Sequence, residues 1–132
     1  MASMAPIILT DGETTPVDHT FSPISKVGNL VQYQNLAESY AAGRESLVTR
    51  FDPQVRGLRK VVLTLKAPRV LDETINGVTV SRVADFCQIK VEALVPLTWT
   101  EQEVKNVRVM VQDLMGETMS SNAIDTGEYV YG

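Results

Sequence analysis

The sequence predicts an α+β protein, with an antiparallel sheet built first and helices added last. Three observations predict it. Residues 46–52, 60–66 and 83–95 alternate apolar and polar side chains with the period of two that a half-wet strand requires. After Pro96 the apolar period lengthens to that of a helix. Strands and helices are segregated along the chain, which argues against a parallel sheet woven from βαβ units.

Residues 5–11, APIILTD, form a short apolar run that meets a turn at Asp11-Gly12, and a second extended piece around Val17 to Phe21 completes a hairpin. Lys26 to Leu36 reads as extended with a glycine near its start, and the AESYAAG that follows reads as a loop or a brief helical turn. From Ser46 to Asp52, Leu47, Thr49 and Phe51 share one face, while Ser46, Val48, Arg50 and Asp52 share the other. PQVRG at 53–57 supplies the proline and glycine of a turn. The next strand starts near Leu58, with Val61, Leu63 and Leu65 opposite Lys60, Val62, Thr64 and Lys66. Pro68 is expected to end it. The turn formers of DETINGVTVS then make a loop whose Asn76-Gly77 pair suits positive φ. A third long strand runs from about Val83 to Val95, with Cys87, Ile89 and Val91 on one side and Phe86, Gln88, Lys90 and Glu92 on the other.

Thr100 and Glu103 have the spacing of a capping box, in which two side chains satisfy orphan N–H groups at a helix start. Val104, Val107, Val111, Leu114 and Met115 fall on one stripe of that helix, and Gly116 stands where a left-handed residue would end it. A shorter helical piece around Met119 to Ile124 precedes the Asp125-Thr126-Gly127 turn, and the EYVYG tail is extended or packed down.

The 132 residues are 44% hydrophobic, enough for a modest core, so residues 1–132 are read as a single domain. No run approaches the roughly 18 apolar residues of a membrane span, and MASMAPIIL has no basic segment before a long apolar one. The expectation is a soluble, unexported protein made in a cytosol. Cys87, the only cysteine, excludes an internal disulfide, supplies too little sulfur for zinc, and is expected to be a small core residue. His19, the only histidine, lies beside Asp18 in TPVDHTF and reads as a hydrogen-bonded loop residue. No acid/base pair, calcium loop or phosphate-binding glycine loop is recognisable. No catalytic residue, metal or cofactor is therefore expected.

A helix of about sixteen residues is about 24 Å long, too short to cover a sheet of five or six strands alone. The open edges of such a sheet also invite pairing with another chain. A homodimer joined edge to edge, each subunit lending its helices to the other, answers both problems.

The formal net charge of −4 hides an uneven arrangement. Between Arg44 and Arg69 lie seven basic residues and only two acidic ones, Glu45 and Asp52. Such blocks are often plain solvated surface. Here, with the three long strands as neighbours, Arg50, Lys60, Thr64, Lys66, Gln88 and Lys90 emerge together on the face away from the helices. Cations interspersed with hydroxyl and amide groups neutralise phosphates and hydrogen-bond RNA, and Phe86 on the same side is placed to stack a base. Val48, Val62, Asp52 and Glu92 interrupt that face.

In order along the chain, the loop TPVDHTF, the strand ending LKAP, the loop TINGV before a long strand, the amphipathic terminal helix and the aromatic YVYG end resemble the coat proteins of single-stranded RNA bacteriophages of the levivirus type. The resemblance covers nearly the whole chain. It implies an N-terminal β-hairpin and a five-stranded antiparallel sheet followed by two C-terminal α-helices, interlocked in a homodimer. It also implies assembly into an icosahedral shell around an RNA genome, the sheet facing inward, within a virion made in the bacterial host cytoplasm. It implies too the binding of an RNA stem-loop that represses translation. Carried over by position, the RNA surface comprises Val48, Arg50, Lys60, Val62, Thr64, Gln88 and Lys90. Val48 and Arg50 stand where small hydroxyl residues usually line adenine pockets, Gln88 replaces an aromatic, and Thr64 replaces a lysine. Segment 37–43 is longer than in close relatives, and Ser81 stands where some members have proline. The competing reading from the residues is a small cellular α+β homo-oligomer whose sheet face recognises a protein or small ligand.

Overall fold

The structure, a computed structural model, describes residues 5–128, with the side chains of 53–55 outside the description. The EYVYG tail beyond Glu128 lies outside the described residues. The chain divides into two compact units, Met1–Leu94 and Val95–Gly132.

β1 (Ile7–Thr10), β2 (Asp18–Val27), β3 (Leu30–Gln34), β4 (Ser46–Val55), β5 (Leu58–Ile75) and β6 (Val78–Pro96) form one six-stranded sheet in sequence order, in which β1 and β2 are the expected N-terminal hairpin and β2 to β6 the expected five strands. The first hairpin is set by Asp11, whose Oδ1 accepts the N–H of Glu13 at 3.2 Å and of Val17 at 3.0 Å. A short acidic side chain thereby does the work of a turn. The expected continuous strand at 26–36 is instead two strands, because the chain reverses at Gly28-Asn29 and β3 pairs with both β2 and β4.

Two further expectations fail at turns. PQVRG is mostly strand, and the tight reversal is confined to Arg56-Gly57, at φ 57° and 75°. Pro68 does not end β5, which continues to Ile75, and the expected loop 72–81 is a hairpin arm closed by Asn76 (φ 51°) and Gly77 (φ 79°). Positive φ at both central positions matches the right-handed twist of the strands, which is why an Asn-Gly pair serves there. The proline is tolerated because β4 pairing ends at Ser46↔Lys66, leaving one side of β5 open beyond that point. Across the arm Ser81 Oγ donates to Asp72 at 2.6 Å, Arg82 Nε donates to Glu73 at 2.6 Å, and Arg69 forks onto both oxygens of Asp85.

Segment 37–43 ends in a 3-10 turn, Ala41–Gly43, held where Arg44 Nε donates to the Glu38 carbonyl at 2.8 Å. Gly43 is buried, and a Cβ there would collide with the Val70 side chain, so only glycine lets this segment dock on β5.

The core sits on one face of the first strands. Phe21 is 2% exposed, Val31 8% and Thr49 6%. Register places Val31, Thr49 and Leu63 in one cross-strand row and Tyr33, Leu47 and Leu65 in another. Among the described residues the one buried hydroxyl, on Thr49, donates to the Val31 carbonyl at 3.3 Å, so its burial leaves no polar group orphaned. Farther out the same face is not buried: Leu63, Ile89 and Val91 are exposed, and so is Cys87, against the expectation that it is a core residue. The parity expected for Cys87 is unaffected; its apolar row simply has no cover in the single chain.

In the second unit, α1 (Glu101–Gly116) starts at the expected capping box: Thr100 Oγ1 accepts the Glu103 N–H at 3.2 Å, and Glu103 accepts the Thr100 N–H at 3.0 Å. The Thr100 N–H foremost, and then the Thr100 hydroxyl, hold the Glu103 carboxyl below its usual range. Gly116 is the last helical residue and not a left-handed cap, because the chain passes through extended Glu117 (φ −72°) straight into α2 (Thr118–Asp125). The left-handed glycine is Gly127, past α2. Val107, Val111, Leu114 and Met115 on the α1 stripe are exposed.

Candidate nucleic-acid interface

Antiparallel pairing puts directly opposed residues on one face, so register alone assembles the site. Val48 lies opposite Thr64, Arg50 opposite Val62, Asp52 opposite Lys60 and Ser46 opposite Lys66. Contacts tie β6 to the same face: Lys60 Nζ approaches Glu92 Oε1 at 3.6 Å, and Lys66 Nζ stands 4.1 Å from the centroid of the Phe86 ring. Gln88 and Lys90 fall between Phe86 and Glu92 with the same parity, so they share that side. All seven residues expected at the site are thus brought onto one face, opposite Phe21, Val31 and Thr49.

The face is wider than the sequence suggested. Gln32 lies opposite Val48, and Gln34 lies opposite both Ser46 and Ser22. Ser25 Oγ donates to Gln32 Oε1 at 3.2 Å. The signal was present in LVQYQ, whose two glutamines alternate with Val31 and Tyr33, but the extended reading of 26–36 left them without a partner strand.

The two acids on this face are paired with its cations. Arg50 Nε donates to Asp52 at 3.2 Å, and Glu92 takes Lys60. Among the described residues Lys90 makes no ion pair. Exposed pairs of this kind contribute about 0–1 kcal/mol, so exchanging a carboxylate for a phosphate costs the cation little. The arrangement offers cations for phosphates and amides and hydroxyls for sugars and base edges.

The sole histidine sits elsewhere. His19 is on β2, two residues from Phe21, and not in a loop as expected; its hydrogen bonding is as expected. Its Nδ1 lies 2.7 Å from Glu45 Oε1 and its Nε2 2.7 Å from Asp11 Oδ2, while Asn35 Nδ2 donates to Glu45 Oε1 at 2.9 Å. Carboxylates only accept, so the doubly protonated ring alone satisfies both contacts. The bonds to Asp11 and Glu45 accordingly raise the His19 pKa, and the Val17 N–H and His19 lower that of Asp11. This is a clamp between the first hairpin and Glu45, the residue that leads into β4. Among the described residues no group of three or more His, Cys, Asp or Glu side chains is arranged to hold a metal ion.

The model of the levivirus coat protein family matches residues 2–131. No curated protein matches the chain. Several solved structures share its fold. The virus-like particle of bacteriophage ESE058 superposes with a TM-score of 0.89 at 20% identity, over 98% of this chain and 100% of that one. The capsid protein of bacteriophage GA does so with a TM-score of 0.81 at 16% identity, over 99% and 100%. An unassembled bacteriophage coat protein dimer, described as an RNA-binding dimer, has a TM-score of 0.70 at 14% identity, over 99% and 100%. The family is one of structural shell proteins and not of enzymes. With six antiparallel strands followed by two helices, and a family match over nearly its whole length, the chain belongs to the levivirus coat protein family.

Proposed function

We propose that this capsid protein dimerises, assembles into an icosahedral shell that packages single-stranded RNA, and presents the β4–β6 polar face as the inner wall of the virion. Residues 1–132 act as one coat-protein domain. The observation that carries the reading is the gathering of Val48, Arg50, Lys60, Val62, Thr64, Gln88 and Lys90 on one face while the apolar rows of β6 and α1 stay exposed.

Unburied apolar rows on both units are what a partner subunit would cover. Ile89, Val91, Val107, Val111 and Leu114 are each about two-fifths exposed, and removing that apolar surface from water favours association. β6, the last strand in the sheet, offers a 19-residue edge for pairing with its copy. The RNA-binding coat protein dimer of similar fold supports dimerisation. An RNA stem-loop bound across the same face, repressing translation, would use Lys60 and Lys90 on phosphates and Thr64 and Gln88 on base edges. Family membership favours this over a cellular binding module.

The test is electron microscopy of the chain expressed alone, with its 260/280 absorbance ratio. RNA-filled particles are expected. Dimers or monomers alone, across salt and protein concentration, would refute shell formation.

A further inference from the structure

We propose that Phe86 and Lys66 form a nucleotide subsite on the polar face, the ring stacking a nucleobase of single-stranded RNA while the ammonium holds the adjoining phosphate. The inference rests on the inner-wall reading and names what one part of that wall binds.

Phe86 is out of place by the ordinary rules of a solvated sheet. It is a large aromatic, 54% exposed, on the face that carries the cations and amides and not on the face that builds the core. An aromatic left in water on a polar face loses the burial that aromatics otherwise contribute, so a ligand that covers it has something to gain. Lys66 Nζ stands 4.1 Å from the ring centroid, within cation–π range, and no carboxylate competes for it among the described residues. The pair therefore presents a π surface and a positive charge within one nucleotide's reach. That combination serves single-stranded nucleic acid without regard to sequence, because every base has a π face and every nucleotide a phosphate. Hydrogen-bonding groups surround it: Ser46 lies opposite Lys66, and Gln88 follows Phe86 on the same side of β6.

The chemistry separates this subsite from the rest of the wall. Lys60, Lys90 and Arg50 are point charges for phosphates and would hold any polyanion. Phe86 offers nothing to a phosphate and discriminates in favour of a base. A ligand with bases and one without should then respond differently to the loss of the ring.

The experiment titrates the full chain, its particles dissociated and freed of RNA so that the sheet face is open, with two probes: an adenine decaribonucleotide and inorganic polyphosphate of similar charge. Phe86→Leu should weaken oligoadenylate binding about tenfold, within the range found when stacking aromatics are removed, and leave polyphosphate binding unchanged. Phe86→Trp should restore oligoadenylate affinity, and its indole fluorescence, read against the Trp99 background of the parent chain, should be quenched by oligoadenylate and not by polyphosphate. Lys66→Met should weaken both probes. Wild-type affinity for oligoadenylate in Phe86→Leu, or equal loss of both probes, would overturn the subsite while leaving the inner wall standing. If the parent chain binds neither probe, the inner wall falls and the subsite falls with it.

Discussion

Lys60 and Glu92 meet across β5 and β6 with Nζ 3.6 Å from Oε1, which puts these two residues on one side of the sheet. Lys90, two residues from Glu92, therefore shares the face of Lys60. On the proposed inner wall both lysines contact phosphates, so Lys60→Ala and Lys90→Ala should each lower nuclease-protected RNA per particle while dimers persist. Each should also reduce the salt dependence of single-stranded RNA binding by about 0.7 in log–log slope. Unchanged RNA content and slope in both variants would remove the assignment.

The His19 clamp makes stability depend on pH in a definite direction. Its folded pKa is raised above the ordinary 6.5, so the contribution is complete below that value and is lost as pH rises through the raised one. Asp11 is lowered from 3.8, so its contribution is present above that value and is lost as pH falls through the lowered one. Denaturant midpoints should be flat between the two ordinary values and decline at higher pH. His19→Gln should be less stable than the parent at pH 6, with the difference shrinking toward pH 9. A parent and variant that differ equally at both pH values would show that the clamp's charge plays no part.

Gly43 and Val70 compete for one space. Gly43→Ala forces the Val70 side chain to move, and overpacking of this kind costs about 1–3 kcal/mol. Adding Val70→Ala should return part of it, a coupling that a double-mutant cycle on urea midpoints measures directly. Strictly additive effects would mean that the 3-10 turn does not rest on β5.

The turn at Asn76-Gly77 depends on backbone, not packing. Gly77→Ala puts a Cβ on a residue at φ 79° where nothing stands within 4 Å, so the expected loss of about 1–2 kcal/mol is conformational. Hydrogen exchange should accelerate at Thr74 and Thr79 in the arm, with β4 amides unchanged. Equal acceleration in β4 would mean that the arm and the sheet unfold together.

Much of this fold could be read from parity. The alternation at 46–52 and 60–66 assigns every side chain to its observed face, and Thr100 with Glu103 announces the helix start. What stayed illegible depended on neighbours that the local sequence does not name. Pro68 breaks a strand only where both sides must donate to a ladder, and nothing near Pro68 says that β4 has already ended. Gly116 looks like a cap until the chain is seen to enter a second helix. Glu45 lies 26 residues from His19, so the clamp has no local signature. Cys87 has the parity of a core residue, but the single chain does not bury its row. At the site, the charged and β-branched positions of β4–β6 were accessible from the sequence, and the β3 glutamines became visible only once their partner strands were known.

Ultraviolet cross-linking of RNA inside purified particles, followed by mass spectrometry of the nucleotide-bearing peptides, tests the inner wall most directly. Adducts are predicted on the even-numbered residues of 46–66 and 86–92, Lys60 and Lys90 among them. Adducts confined to α1 and α2 would contradict it.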